Sequence, residues 1–263
     1  GGAHRSAAAG VLFPGWGWWG VFATMAGLAI MTTRFRPAGA VVLGGFWLWS
    51  AMSWTEPKPP EGWQGVDTEF GAALGRDGAL ERHRQLTGLV RERALEGAKI
   101  VVLPESALGP LTPTVERYWI EALADLDVSV IAGAAAIDGA GYDNVMVNIG
   151  PRVAEIRYRA RMPVPVSMWQ PWRAWFGSSG GARATFFAEP VIEIAGHRVA
   201  PLICYEQLLV WPVLQSALRR PDAIAGIANA WWATDTSVPS IQIVSLKAWS
   251  RLFGIPLVTA FNT

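Results

Sequence analysis

Two short stretches hold the residue types that could do chemistry. The apolar run "KIVVLPES" (99–106) delivers Glu105 beyond its end, and "VAPLICYE" (199–206) delivers Cys204 in the same way. In α/β folds, ligands and reacting groups gather beyond the carboxyl ends of strands. A thiol at one strand end and a carboxylate at another are what a thiol nucleophile with a general base requires. Taken alone, each residue has a plainer reading. Unpaired cysteines are among the most buried residue types, and Glu105 could be a solvated loop residue.

Other candidates are weaker. "GSSGG" (177–181) fits G-x-S-x-G with Ser179 as nucleophile. That motif needs a strand before it, a helix after it, and a later acid and histidine; its flanks suit neither, so a glycine loop is the expectation. His4, His83 and His197 lack metal-ligand spacing, and His83, set among charges, is expected to be solvated. No metal and no cofactor is expected. With 22 basic and 21 acidic residues and no long run of either sign, nucleic-acid binding is not favoured. A single cysteine excludes an internal disulfide framework.

The elements that must position Glu105 and Cys204 follow from periodicity. "ALERHRQLTGLVRERALEGA" (79–98) places Leu86, Leu89, Val90 and Ala94 on one helical face. Residues 114–126 and 239–252 are expected to be helical, and 99–106, 128–135, 223–230 and 255–261 to be strands. Hairpins are expected to turn at "GPR" (150–152) and "AGHR" (195–198). The pattern is that of an α/β domain with a β-sandwich component, preceded by a proline-rich linker, "EPKPPEGWQG" (56–65).

The first 55 residues read differently. Residues 6–33 include no charged residue, and 37–55 is a second uncharged stretch. About 20 apolar residues cross a bilayer, and the chain has 15 tryptophans, which favour membrane interfaces. The expectation is a transmembrane helical hairpin over residues 1–55. Arg34 and Arg36 in its link would face the cytoplasm, leaving the domain at 56–263 on the periplasmic side of a bacterial inner membrane. Because the chain starts at Gly1 and stops at Thr263 just after an apolar stretch, it is expected to be a fragment.

"VVLPESALG", "YRARMPVP" (158–165), "LICYE" and "ANAWW" (228–232) occur in the order and spacing of the carbon–nitrogen hydrolase (nitrilase) superfamily, which the chain resembles from about residue 60 to 263. With its N-terminal apolar segments it is similar to the apolipoprotein N-acyltransferase branch, and within that branch to the TraB proteins of conjugative plasmids. The resemblance implies an α-β-β-α sandwich and a Glu-Lys-Cys triad, with Glu105 as base and Cys204 as nucleophile. The branch also carries a tyrosine and a glutamate after its cysteine, matched by Tyr205 and Glu206. Asn229 and Trp232 fall in its S-N-D-A-W-F segment, where this chain has Ala228 and Ala230 for the serine and aspartate. Glu206 is thereby a further catalytic candidate, and Tyr205, Asn229 and Trp232 are substrate-binding candidates.

The lysine is not matched. Aligning Tyr158 and Pro165 with the family's stretch puts Ala160 at its position, between Arg159 and Arg161, the two possible substitutes. A second carboxylate of the branch is also missing, since its Pro-Phe-Gly-Glu reads Pro165-Val166-Ser167-Met168. Losing one oxyanion donor costs on the order of 10²–10³ in rate. Trp169, Trp172 and Trp175 are expected on a loop that either packs on the core or dips towards acyl chains. The resemblance implies a membrane-anchored acyltransferase with a phospholipid donor, and a lipoprotein or another, conjugation-related, amine as acceptor. A small-amide or nitrile hydrolase, or a non-catalytic membrane assembly component, are the alternatives.

Overall fold

In the computed structural model, residues 8–71, 76–177 and 180–263 are described; Ser179, His4 and Arg5 lie outside the described residues. Three helices come first: α1 (Ala8–Leu12), α2 (Trp18–Met31) and α3 (Arg36–Met52). Then follow β1 (Trp63–Gly65), α4 (Arg76–Leu95), β2 (Ile100–Val102), α5 (Pro113–Leu123), β3 (Ser129–Asp138), β4 (Gly141–Ile149) and β5 (Ala154–Arg159). The remainder is β6 (Ile192–Ile194), β7 (His197–Ile203), α6 (Val210–Ala217), β8 (Ala223–Asn229), α7 (Val238–Phe253) and β9 (Leu257–Asn262).

Strand alternation explains the layering. One sheet runs β1-β2-β3-β4-β5 and the other β6-β7-β8-β9. Ile100, Val102, Ile131 and Met146 of the first sheet meet Ile192, Val199, Ile203, Ala225, Ile227 and Val258 of the second. The alternate residues Val101, Leu103, Val130 and Ala132 pack outward against Leu86 and Val90 of α4 and Trp119 and Leu123 of α5. On the far side, Leu202, Ile224 and Ala228 pack against Val213 of α6 and Leu246, Trp249 and Leu252 of α7. The order is therefore helix, sheet, sheet, helix, as the resemblance implied.

Parallel pairing of β1-β2-β3 and of β7-β8-β9 points the carboxyl ends of the central strands the same way within each sheet. β1 begins inside the segment expected to be linker, because Trp63 is buried between the sheets. The long amphipathic helix and both hairpins are observed. His83 is a correction: it is half-buried and its Nδ1 accepts a hydrogen bond from Trp119 Nε1 at 3.1 Å. Burial, the larger influence, and Arg82 push its pKa down.

The transmembrane hairpin is also corrected. Among the described residues no helix is long and apolar enough to cross a membrane. The Pro-Gly-Trp-Gly run at 14–17 interrupts the first apolar stretch, with Gly15 and Gly17 both at positive φ (76° and 54°). This leaves α2 with 14 residues and α3 with 17, or about 21 and 26 Å at 1.5 Å per residue, against a hydrocarbon core of about 30 Å. The orientation argument from Arg34 and Arg36 therefore has no span to act on. The segment instead docks on α7: Gly15 and Gly17 amides donate to the carbonyls of Arg251 (2.8 Å) and Leu252 (2.7 Å).

Candidate active site

Glu105 leaves the end of β2 through Leu103-Pro104 and comes to rest over Gly133 of β3. A side chain at 133 would put its Cβ 2.5 Å from the Glu105 Cα, so only glycine allows this approach. Glu105 is 7% exposed. Its Oε1 accepts from Asn144 Nδ2 at 2.5 Å, and its Oε2 from the Asn229 backbone N–H at 2.9 Å. Asn229 ends β8 and is itself fixed, its Oδ1 accepting from Asn262 Nδ2 at 2.8 Å. Asn262 Oδ1 accepts in turn from Thr68 Oγ1 (2.8 Å) and the Phe70 N–H (2.7 Å). A cavity of about 20 Å³ beside Glu105, lined by Thr68, Phe70, Ser106, Asn229 and Trp231, has room for about one water.

Cys204 sits where β7 gives way to a short 3₁₀ turn, Cys204–Leu208. Its φ is +48°, a left-handed conformation that a non-glycine residue holds at roughly 1–3 kcal/mol and that clusters at functional sites. The turn is pinned by Glu206, whose Oε2 accepts from the Ile203 N–H at 2.8 Å, and by Gln207, whose Nε2 donates to the carbonyls of Leu202 (3.2 Å) and Ile227 (2.8 Å).

Glu105 and Cys204 lie close enough that each moves the other's proton affinity. Burial, chiefly, and then the Glu105 charge push the Cys204 thiol well up; N–H groups of Gln242 and Tyr205 act in the opposite sense. Burial likewise raises Glu105, opposed by the hydrogen bonds from Asn144 and Asn229.

Glu206 is fully buried. Its Oε1 accepts from Tyr158 Oη (2.7 Å), the Arg161 N–H (2.7 Å) and the Met162 N–H (3.2 Å). It joins the end of β7 to the segment after β5, and none of its hydrogen-bond partners is the thiol. Neither arginine takes the missing lysine's place, which corrects that expectation. Arg161 is fully buried with its Nε on Tyr158 Oη (2.9 Å), Nη1 on Gln215 Oε1 (2.8 Å) and Nη2 on Ser216 Oγ (3.1 Å). Arg159 pairs with Asp143, which Arg183 also holds. Ala160 is buried in the inter-sheet core against which Cys204 packs.

The remaining expected residues are spread out. Tyr205 is half-buried. Trp232 is 60% exposed and its Nε1 donates to the Asn229 carbonyl at 3.1 Å. Trp169 packs edge-on against Phe186 (5.2 Å between ring centres), Trp172 is half-buried, and Trp175 is 84% exposed. Sequence reasoning missed Asn144 and Gln242. Gln242 lies on the buried face of α7, 2% exposed, with Nε2 3.7 Å from Cys204 Sγ; a polar residue on that apolar face was the available signal. Among the described residues no cluster of three or more His, Cys, Asp or Glu could hold a metal ion.

The family model for carbon–nitrogen hydrolases matches residues 1–251. The chain belongs to the carbon–nitrogen hydrolase family. Relatives of this family member include the conjugal transfer protein TraB of Agrobacterium fabrum, 58% identical over 99% of this chain and 62% of that protein. A probable conjugal transfer protein TraB of Sinorhizobium fredii is 57% identical over 99% of this chain and 67% of its own length. The apolipoprotein N-acyltransferase of Ralstonia nicotianae is more distant, 29% identical over 92% of this chain and 50% of that protein. The hydrolase-family chain thus spans about two thirds or less of the curated relatives it matches. Among solved structures, an alanine-for-cysteine mutant of Nesterenkonia AN1 amidase, from the nitrilase superfamily, superposes with a TM-score of 0.54 at 13% identity. That match covers 77% of this chain and 78% of the amidase, and it supports the fold alone.

Proposed function

We propose that this carbon–nitrogen hydrolase chain is a thiol acyltransferase domain of a TraB-type protein. Glu105 removes the Cys204 proton, and the thiolate attacks the ester carbonyl of a phospholipid. The lysophospholipid alcohol leaves with the proton from Glu105, and the acyl group remains as a thioester on sulfur. An amine then attacks the thioester, passes its proton through Glu105, and departs as an amide while the thiol re-forms. The observation that carries this reading is the buried Glu105 carboxylate set against a left-handed Cys204 at the ends of strands from facing sheets. Relationship to a named N-acyltransferase supports transfer to an amine.

In this reading Glu206 positions Cys204 through Ile203, and Asn144 and Asn229 position Glu105. The exposed Trp175 and Phe176 supply an apolar surface for the donor's acyl chains, and Tyr205 and Trp232 flank the acyl group. Because Ala160 leaves the site without the family's lysine, turnover is slower than in a complete triad by on the order of 10²–10³.

The test is incubation of the protein with a phospholipid bearing an alkyne-tagged acyl chain. Hydroxylamine-sensitive labelling is expected, lost in Cys204→Ser and kept in Cys204-intact surface variants. Hydrolysis of a small amide is the second reading, favoured by the cavity of about 20 Å³, which admits water more readily than an acyl chain. Ammonia release from small amides without lipid labelling would select it. Neither signal, with conjugation unimpaired by Cys204→Ala, would leave a scaffold and sink both enzyme readings.

A further inference from the structure

We infer that Gln242 is a catalytic residue: its side-chain amide holds the Cys204 sulfur in the place where this chain lacks a cation. The inference rests on Cys204 being the reactive nucleophile, and it adds a residue that the sequence motifs do not contain.

Among the described residues, the sole hydrogen-bond partner of the Gln242 side chain is Cys204 Sγ, at 3.7 Å from Nε2. Its Oε1 is buried and has no partner at all. An unpaired buried acceptor is destabilising and asks for a reason. Gln207, the neighbouring buried glutamine, also leaves its Oε1 unpaired, but its Nε2 bridges two strand carbonyls and so has a structural duty. Gln242 bridges nothing. The helix that carries it is anchored independently one turn on, where Ser245 Oγ donates to the Gln207 carbonyl at 2.7 Å. Helix α7 is thus locked to the turn that starts with Cys204, and the amide projects from a fixed base. Arg159 and Arg161 are both engaged elsewhere, so a neutral N–H is what the sulfur meets from this side.

When the proton passes from Sγ to the Glu105 carboxylate, sulfur keeps the electron pair and the Gln242 N–H bond to it strengthens, because a hydrogen bond to an ion exceeds one to a neutral atom.

The chain has one cysteine, so alkylation by iodoacetamide, read as the mass of the intact protein, reports Cys204 alone. The pH at half-maximal alkylation rate is expected to rise by about one unit in Gln242→Leu, a tenfold loss of thiolate at fixed pH. Its melting temperature is expected to hold or rise, because an unpaired buried carbonyl has gone. Gln242→Asn, which withdraws the N–H by one methylene, is expected to shift the midpoint in the same direction and serves if the leucine variant does not fold. Val244→Ala, a change on the exposed face of the same helix, is expected to leave the midpoint in place. An unchanged midpoint in both Gln242 variants, or an equal shift in Val244→Ala, would overturn the inference. No acyl donor is involved, so lipid labelling can fail while this result stands.

Discussion

Glu105 and Cys204 each hold a proton more tightly than they would in water. The carboxylate's negative charge raises the thiol, and burial raises both. Replacing Glu105 by Gln separates the two effects. With the charge gone, the thiol ionises at lower pH, so the alkylation midpoint of Glu105→Gln is expected to move down. Acyl transfer is expected to fall by on the order of 10²–10⁴, since the proton acceptor has gone. A midpoint that moves up, or transfer that survives, would remove Glu105 from the role of base. Glu206 is the opposite kind of carboxylate. Four donors occupy its two oxygens, so it acts on the shape of the turn and only through that on sulfur.

At the scale of elements, the position of the base depends on β3 having no side chain at 133. Gly133→Ala would place Cβ 2.5 Å from the Glu105 Cα and 2.7 Å from the Ser106 nitrogen. The strand-end loop must then shift, at about 1–3 kcal/mol for overpacking, with Cys204 alkylation and any transfer altered together. A Cβ at Gly44 in α3 would meet nothing within 4 Å, so Gly44→Ala is expected to gain up to about 1 kcal/mol from helix propensity. Thermal melts of the two variants in parallel check the contrast. The strand ends bearing Glu105 and Cys204 were legible because apolar runs and a motif pair mark them. The break at 14–17 was equally visible as P-G-W-G, yet the uncharged length of the stretch outweighed it; proline and glycine are the stronger signal where they coincide. Asn144 was hidden inside an ordinary hairpin strand. Gln242 lay on a helix whose contacts depend on how two sheets stack, which local periodicity does not encode.

At the scale of the molecule, the N-terminal helices are a fixed part of the body. Gly10 of α1 lies so close to α7 that a Cβ there would sit 1.7 Å from the Ala248 carbonyl oxygen. Gly10→Val is expected to lift the segment, and hydrogen exchange at the Gly15 and Gly17 amides, now bonded to α7 carbonyls, should accelerate together while β2 and β8 amides stay protected. Unchanged protection at Gly15 and Gly17 would show that the docking does not depend on this approach. The outer face of the docked segment exposes Trp19, Phe22, Met25, Val41 and Met52.

The carboxylate clasp built on Asn229 and Asn262 gives the chain an order of events. Glu105 is held by Asn144 from β4 and Asn229 from β8, and Asn229 is held by Asn262 from β9, which also grips Thr68 and Phe70 near β1. Partners 124 and 194 residues apart must therefore meet before the base is set. A ribosome-bound chain that already displays Cys204 but has not yet received β9 carries a thiol without a seated base. Such a chain has no positioned group to take the thiol proton, so the proposed acyl transfer waits until β9 pairs with β8.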